Sequence, residues 1–168
     1  RRPLDDETIR RHCIERVFQV READRIHRFL GGLHQVAAAG QTHRSFRDIR
    51  QMLDGSALEP AVKQCAIGIF AKLAEAEGRI HAVQPEEVQF HEIGAVDSII
   101  DIVGTCLALE QLGIERVYCS PLPLGAGFVE CAHGTLPLPA PGTLELLHGI
   151  PTLPAGHEGE TVTPTGAA

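Results

Sequence analysis

The sequence predicts an α/β (α+β) fold, in which a helix pair and a long central helix pack on a small mixed sheet beside a Pro/Gly-rich extended segment. Apolar residues recur at helical spacing over much of the first two-thirds of the chain, as in amphipathic helices. Residues 121–142 are dense in proline and glycine, which favours extended backbone. Hydrophobic residues make up 43% of the 168 residues and aromatic residues only 4%. A core of Leu, Ile, Val and Ala suits helices better than a β-sandwich.

An amino-terminal helical segment, residues 1–40, is predicted to precede the main module of residues 41–168. Residues 6–39 have helical periodicity, interrupted by two glycines. Eight of the fifteen basic residues lie in this segment, and we interpret them as a solvated helical face; they are Arg1, Arg2, Arg10, Arg11, Arg16, Arg21, Arg25 and Arg28.

The helix pair is expected at the start of the main module. Ser45 is a suitable N-cap for a helix that continues to Leu53. Residues 59–81 have the apolar face of a longer helix. The short link 55–58 predicts that the two helices are antiparallel.

The central helix is predicted at residues 95–112, with Gly113 as its stop. Residues 83–94 before it are expected to be irregular or to form a short strand. Its core stripe is expected to consist of Val96, Ile99, Ile100, Val103 and Leu107.

Short elements are predicted in the rest of the chain. Pro141 is well placed to begin a helix that reaches Leu147. Short strands are expected at residues 117–120, 128–130, 152–153 and 161–162.

Charge and cysteine usage limit the partners and the compartment. The formal net charge of -7 argues against general binding of nucleic acid or of an anionic membrane. No apolar run is long enough to cross a bilayer, and no signal peptide is visible. The five cysteines form no CxxC pair, which indicates reduced thiols and a cytoplasmic protein. Cys65 and Cys106 lie in apolar helical stretches and are predicted to be core residues.

The first candidate site combines residues around the start of the central helix. Asp97 and Asp101 are four residues apart on that helix and so share one face. With His91 and Glu92 just upstream, they could form a mixed nitrogen and oxygen site for Mg, Mn, Ni or Zn. An aspartate in a first helical turn is also common for dipole reasons alone, and this applies to Asp97.

A second candidate site follows in the glycine-rich stretch. Gly125 and Gly127 permit a backbone turned toward a ligand. Cys131 and His133 would point the same way on a strand, as ligands of a soft metal or as nucleophile and base. On spacing alone, a buried thiol beside a surface imidazole is favoured.

A third candidate site lies at the end of the sequence. Thr163, Thr165 and Gly166 precede an expected helix start, where hydroxyls and glycine make an anion cradle. Such residues are equally ordinary helix caps. The sequence contains no P-loop, no GxGxxG and no GxSxG.

Six segments in this order resemble the LarC family of nickel-insertion proteins. They are HRSFRDIR at 43–50, IFAKLAEAE at 69–77, VQFHEIGAVDSIIDIVG at 88–104, SPLPLG at 120–125, CAHG at 131–134 and VTPTGAA at 162–168. The first forty residues lack the opening strand and the glycine- and aspartate-containing loop of that family. Both ends of the chain are interpreted as cuts through a longer protein.

The resemblance implies a nickel chelatase of the lyase class. Such a protein inserts Ni²⁺ between two sulfurs and one ring carbon of a pyridinium bisthiocarboxylate mononucleotide, which makes the nickel-pincer cofactor of lactate racemase. It uses CTP with Mn²⁺ or Mg²⁺, and the CTP site is expected in a carboxyl-terminal part that this chain lacks. The chain alone is therefore expected to be inactive, and the full-length protein to be a homo-oligomer.

The resemblance also suggests roles for the candidate residues. His91, Glu92, Asp97 and Asp101 are expected to hold the metal, and Asp101 or His133 to accept the proton displaced from the ring carbon. The nucleotide-like substrate is expected to meet Gly125, Gly127, Cys131, His133, Thr163, Thr165 and Gly166.

Two other classes of function remain open on the sequence. One is a non-catalytic helical interaction module, in which the carboxylates are caps. The other is a phosphate-ester hydrolase in which Asp97 and Asp101 hold Mg²⁺.

Overall fold

A computed structural model describes residues 44–90, 96–131 and 134–168. The helices in this part of the chain are α1 (Phe46–Asp54), α2 (Pro60–His81), α3 (Val96–Gln111), α4 (Pro141–Leu146) and α5 (Pro164–Ala167), with a 3-10 turn at Pro85–Glu87. The strands are β1 (Arg44–Ser45), β2 (Gln89–Phe90), β3 (Leu122–Ala126), β4 (Phe128–Cys131), β5 (Gly134–Pro137) and β6 (Thr152–Glu158). The predicted helix at residues 6–39 lies outside the described residues.

The strands form three separate pairs. β1 pairs with β2 and β4 pairs with β5, both antiparallel, whereas β3 and β6 are parallel. The α/β class and the small mixed sheet are therefore confirmed, with the sheet divided into three ribbons.

Helix α1 begins at a capping box. The Ser45 hydroxyl accepts a hydrogen bond from the Asp48 amide at 3.1 Å, and the Asp48 carboxylate accepts one from the Ser45 amide at 3.0 Å. The Ser45 hydroxyl also donates to the Asp48 carboxylate at 2.7 Å, and this bond, followed by the one from the Ser45 amide, lowers the pKa of Asp48. The reciprocal pair satisfies donors that a helix start leaves without partners, which explains why the helix predicted from Ser45 is found.

Helix α2 is the main support of the core. It begins with Pro60 and ends where Ala82 adopts a left-handed conformation with φ of 54°. Its buried face includes Val62, Phe70 and Leu73, and it packs against both α1 and α3. The predicted helix at residues 59–81 is confirmed.

Helix α3 packs its buried face into the same core. Ile99, Ile102, Val103 and Cys106 are buried and belong to the same hydrophobic cluster as the α2 residues. Gly113 follows with φ of +63°, a conformation that suits glycine after a helix end. The central helix and its stop agree with the prediction.

Two predicted strands are wrong. Residues 117–120 are not a strand and pair with no other strand in the described ranges, and Val117 and Tyr118 are 72% and 83% exposed. Pairing with β6 begins only at Leu122. Residues 161–162 are not a strand either, because the Thr161 hydroxyl accepts a bond from the Gly125 amide at 2.8 Å and fixes a bend there.

The remaining short elements agree with the sequence. Residues 128–130 lie in β4 and residues 152–153 in β6. Helix α4 begins at Pro141, as predicted. None of the helices in the described ranges combines the length and the apolar character needed to cross a bilayer.

The two helical cysteines differ in exposure. Cys106 is buried, as predicted, but Cys65 is exposed, so the prediction that Cys65 is a core residue is wrong. Cys65 falls on a stripe of exposed residues at helical spacing on α2, with Gln64, Gly68 and Lys72. Its apolar neighbours in the sequence therefore belong to another face of the same helix.

We expect a thiol reagent to label Cys65 quickly and Cys106 slowly in the native protein. Burial, followed by a hydrogen bond with Cys65, raises the pKa of Cys106 to about 12 from the ordinary value of 9.0. The protonated thiol is thus favoured in the folded state. Its contribution to stability is complete below about pH 9 and is lost as the pH rises toward 12.

Mass spectrometry of the labelled protein and urea unfolding at pH 8 and pH 10.5 measure these two effects. The Cys106→Ala variant is the control, and its stability should fall less over this pH interval than that of the wild type. Equal labelling rates at the two cysteines would contradict the expectation.

Candidate functional site

A cavity of about 480 Å³ lies where α2, the β4–β5 hairpin, α4 and α5 approach one another. Part of its wall is apolar, formed by Ile80, Phe90, Val129, Leu136, Pro141 and Pro164. Polar side chains from distant parts of the sequence converge on the same space; they are Glu77, His81, Gln89, Ser98, Glu130, Cys131, Glu160, Thr163 and Thr165. An apolar cavity of this size with a few converging polar groups is typical of a small-molecule site.

Three of the residues predicted to bind substrate line this cavity. Cys131 reaches it from β4, whereas Thr163 and Thr165 reach it from the start of α5. Cys131 is half-buried, and its thiol donates to the Gly134 carbonyl at 3.3 Å. The structure thus brings Cys131 of the second predicted site together with Thr163 and Thr165 of the third, whereas His133 lies outside the described residues.

The three predicted glycines have structural roles in the local backbone. Gly125 is buried in β3, and its amide donates to Thr161. Gly127 has φ of +112° and accepts a bond from the Leu138 amide at 2.9 Å. The Gly166 amide donates to the Thr163 hydroxyl at 3.2 Å, which makes Thr163 the N-cap of α5. None of the three is among the cavity-lining residues.

The predicted metal residues that the structure describes lie on the surface. Asp97 and Asp101 are both exposed on α3, and Asp97 accepts a bond from the Ser98 amide at 2.9 Å. Ser98, rather than either aspartate, lines the cavity. His91 and Glu92 lie outside the described residues. Within residues 44–90, 96–131 and 134–168, no three His, Cys, Asp or Glu side chains are grouped as a metal site, so the metal assignment stays a prediction.

Sequence reasoning missed four acidic or imidazole side chains of the cavity. Glu77 and His81 lie on the last turns of α2, Glu130 on β4 and Glu160 after β6. The His81 Nε2 lies 3.4 Å from the Glu77 Oε2. The four-residue spacing of Glu77 and His81 was the available signal, but that spacing is also common on solvated helix faces.

The end of α2 is attached to α4. Arg79 forms a charged hydrogen bond with Glu145 of α4, and this bond raises the pKa of the guanidinium. An added Cβ at Gly142, also on α4, would lie only 3.1 Å from the Glu77 Oε1. These contacts position the end of α2 against the cavity wall.

The carboxylates of the cavity wall are not balanced by lysine or arginine among the described lining residues. Three glutamates line the cavity. A low-dielectric cleft of one charge sign attracts groups of the opposite sign. These walls therefore favour a cationic or neutral group over an exposed anion.

Fold and cavity together define a small α/β module with a cleft of ligand size. The sequence model of one family, described as "Nickel insertion protein", matches residues 8–168. The chain belongs to the nickel insertion protein family. The match also includes residues 8–40, which precede the first of the six segments that resemble LarC proteins.

Named relatives agree with this family. A Desulfitobacterium hafniense protein named pyridinium-3,5-bisthiocarboxylic acid mononucleotide nickel insertion protein is 50% identical over 136 residues, 81% of this chain and 34% of that protein. Proteins provisionally named as nickel insertion proteins in Geobacter metallireducens and Dictyoglomus thermophilum are 58% and 55% identical over 128 and 127 residues. Each of these two alignments covers 76% of this chain and 33% of the relative. The chain thus spans about a third of the length of the curated relatives it matches. No solved structure matches it.

Proposed function

We propose that this chain is a module of a nickel chelatase that inserts Ni²⁺ into a pyridinium bisthiocarboxylate mononucleotide. The product would be the nickel-pincer cofactor of lactate racemase, and the enzyme would belong to the lyase class. The family and the name of the Desulfitobacterium relative support this proposal. In the proposal the full-length protein is cytoplasmic and homo-oligomeric, and the chain alone is inactive.

The observation that carries the proposal is the cavity itself. Cys131, Thr163 and Thr165 were selected as substrate-binding residues by sequence alone, and all three line it. Its volume of about 480 Å³ falls within the usual range for small-molecule sites.

The proposed chemistry moves a borderline metal onto soft sulfur. Carboxylates and imidazole hold Ni²⁺ less selectively than thiolate-type sulfur does, so the metal can pass from oxygen and nitrogen ligands to the two substrate sulfurs. The third bond forms to a ring carbon, which loses a proton. In the proposal, CTP with Mn²⁺ or Mg²⁺ binds in another part of the full-length protein, since this chain spans about a third of the length of the relatives that it matches.

Nickel transfer by the full-length protein that contains this chain tests the proposal. The protein is given the mononucleotide, Ni²⁺, CTP and Mn²⁺, and the gain of nickel by the nucleotide is followed by mass spectrometry. Cys131→Ser and Thr165→Val should each lower the rate at least about tenfold, an effect of about 1.4 kcal/mol on the barrier. Thr105→Val is the matched control, since Thr105 is exposed on α3 and its hydroxyl bonds within that helix to the Asp101 carbonyl at 2.7 Å.

A wild-type protein that transfers no nickel would overturn the proposal. Unchanged rates in both cavity variants would remove the cavity as the substrate site. The metal assignment is tested separately by alanine at His91, Asp97 and Asp101, which should abolish transfer; full activity in all three variants would refute it.

The exposure of Asp97 and Asp101 favours one competing function, a non-catalytic interaction module whose carboxylates are caps. Calorimetry of the full-length protein with nickel, manganese and magnesium separates the two. A chelatase must bind at least one of these ions, whereas an interaction module without a metal site binds none.

A further inference from the structure

Glu77 and His81 form a carboxylate–imidazole pair on the wall of the cavity. They are four residues apart on α2, and the His81 Nε2 lies 3.4 Å from the Glu77 Oε2. The Glu77 side chain is 24% exposed and the His81 side chain 43% exposed. The pair therefore has access both to the cavity and to solvent.

Contacts with α4 hold the Glu77–His81 pair in place. Glu77 lies against Gly142, where an added Cβ would come within 3.1 Å of the Oε1. Arg79, between the two residues, is engaged by Glu145 of α4 and by Glu75, the latter at 3.8 Å. Arg79 is thus already neutralised by two carboxylates, and the Glu77 charge is available to the imidazole.

Two other described side chains of the cavity, Glu130 and Cys131, already have hydrogen-bond partners. A carboxylate oxygen of Glu130 is bonded by the Thr135 hydroxyl across the β4–β5 hairpin. The Cys131 thiol is directed to the Gly134 carbonyl. Asp101 is exposed and is not among the lining residues. Imidazole, moreover, is the side chain that gains and loses protons most readily near neutral pH.

We propose that the Glu77–His81 pair accepts the proton released when nickel replaces hydrogen on the ring carbon of the substrate. This inference rests on the proposed function. The C–H bond breaks, its electron pair forms the nickel–carbon bond, and nickel remains divalent. The proton passes to the imidazole of His81, where the Glu77 carboxylate stabilises the resulting cation, and then to water at the exposed side of the ring.

The position of His81 supports this role. It is the last residue of α2, and the carboxyl end of a helix stabilises positive charge. The imidazolium formed in the reaction would therefore be stabilised by the helix and by Glu77 together. A general base in such a position typically contributes about 100-fold or more to the rate.

The test measures nickel transfer by the full-length protein with the variants His81→Ala and Glu77→Gln. His81→Ala should lower kcat about 100-fold with little change in KM, and added imidazole should restore part of the rate. Glu77→Gln should cause a smaller loss of kcat. With deuterium at the displaced ring position, the isotope effect should increase in His81→Ala, because C–H cleavage becomes slower.

His157→Ala is the matched control, since His157 is exposed on β6, bonds to the Glu158 carbonyl, and does not line the cavity. If His81→Ala does not fold, as judged by circular dichroism, His81→Gln replaces it. Unchanged kcat in the His81 variant, with an active wild type, would overturn this inference and leave the proposed function standing. An inactive wild type would overturn both.

Discussion

Replacing Gly125 with alanine is expected to destabilise the protein by about 3 kcal/mol, at the upper end of the usual cost of overpacking. An added Cβ would lie 1.8 Å from the Gly159 carbonyl oxygen and 3.4 Å from the Thr161 Cγ2. The obstructing atom is backbone, so no side-chain rotation can relieve the clash. The bend at Thr161 must move away from β3, and its hydrogen bond from the Gly125 amide would be lost.

This displacement should reach the cavity as well. Glu160 lies between Gly159 and Thr161, which the added Cβ would meet, and it lines the cavity. Urea unfolding followed by circular dichroism measures the loss of stability, and nickel transfer by the full-length protein measures the effect on the site.

Gly104→Ala is the control for the Gly125 variant. Gly104 is exposed on α3, and a Cβ there would meet nothing within 4 Å. Alanine in a helix interior is favoured over glycine, so this variant should be more stable by up to about 1 kcal/mol. A Gly125→Ala protein as stable as the wild type would show that the β3 backbone and the bend are not in tight contact.

The helices could be predicted because their signals are local. Ser45 with Asp48, Pro60 and Gly113 mark helix ends within a few residues, and the apolar spacing marks the buried faces. The strands depend on partners far along the chain, such as Leu122 opposite Thr152. Residues 117–120 have strand-like side chains, yet no strand among the residues that the structure describes pairs with them. Local propensity cannot supply that information.

The candidate site was predictable in part for the same reason. Cys131, Thr163 and Thr165 can be selected from the sequence because each places a thiol or a hydroxyl in a stretch that contains glycine or proline. Glu77 and His81 do not, because a glutamate and a histidine near a helix end resemble an ordinary solvated surface. Only the packing of α4 against α2, fixed by Arg79 and Glu145, encloses them in a cavity.

Replacing Phe70 with alanine is expected to cost about 3–5 kcal/mol, the usual loss for a large buried aromatic side chain. Phe70 is fully buried, and its ring lies 6.2 Å from the ring of Phe90, with the planes tilted by 51°. Such a pair adds about 0.5–1.5 kcal/mol beyond the burial of its area. A small domain has a total stability of about 5–15 kcal/mol, so this one change should remove much of it.

The effect of Phe70 should also extend to the cavity, because Phe90 is part of its wall while Phe70 supports Phe90 from behind. Urea unfolding gives the loss of stability, and the control is Phe128→Ala. Phe128 is 74% exposed, and its removal should change stability by no more than about 0.5 kcal/mol. If the two variants lose similar stability, the ring pair does not support the core. A second outcome would separate the core from the cavity wall. If Phe70→Ala loses much stability but its folded protein still transfers nickel at the wild-type rate, Phe90 holds its position in the wall without Phe70.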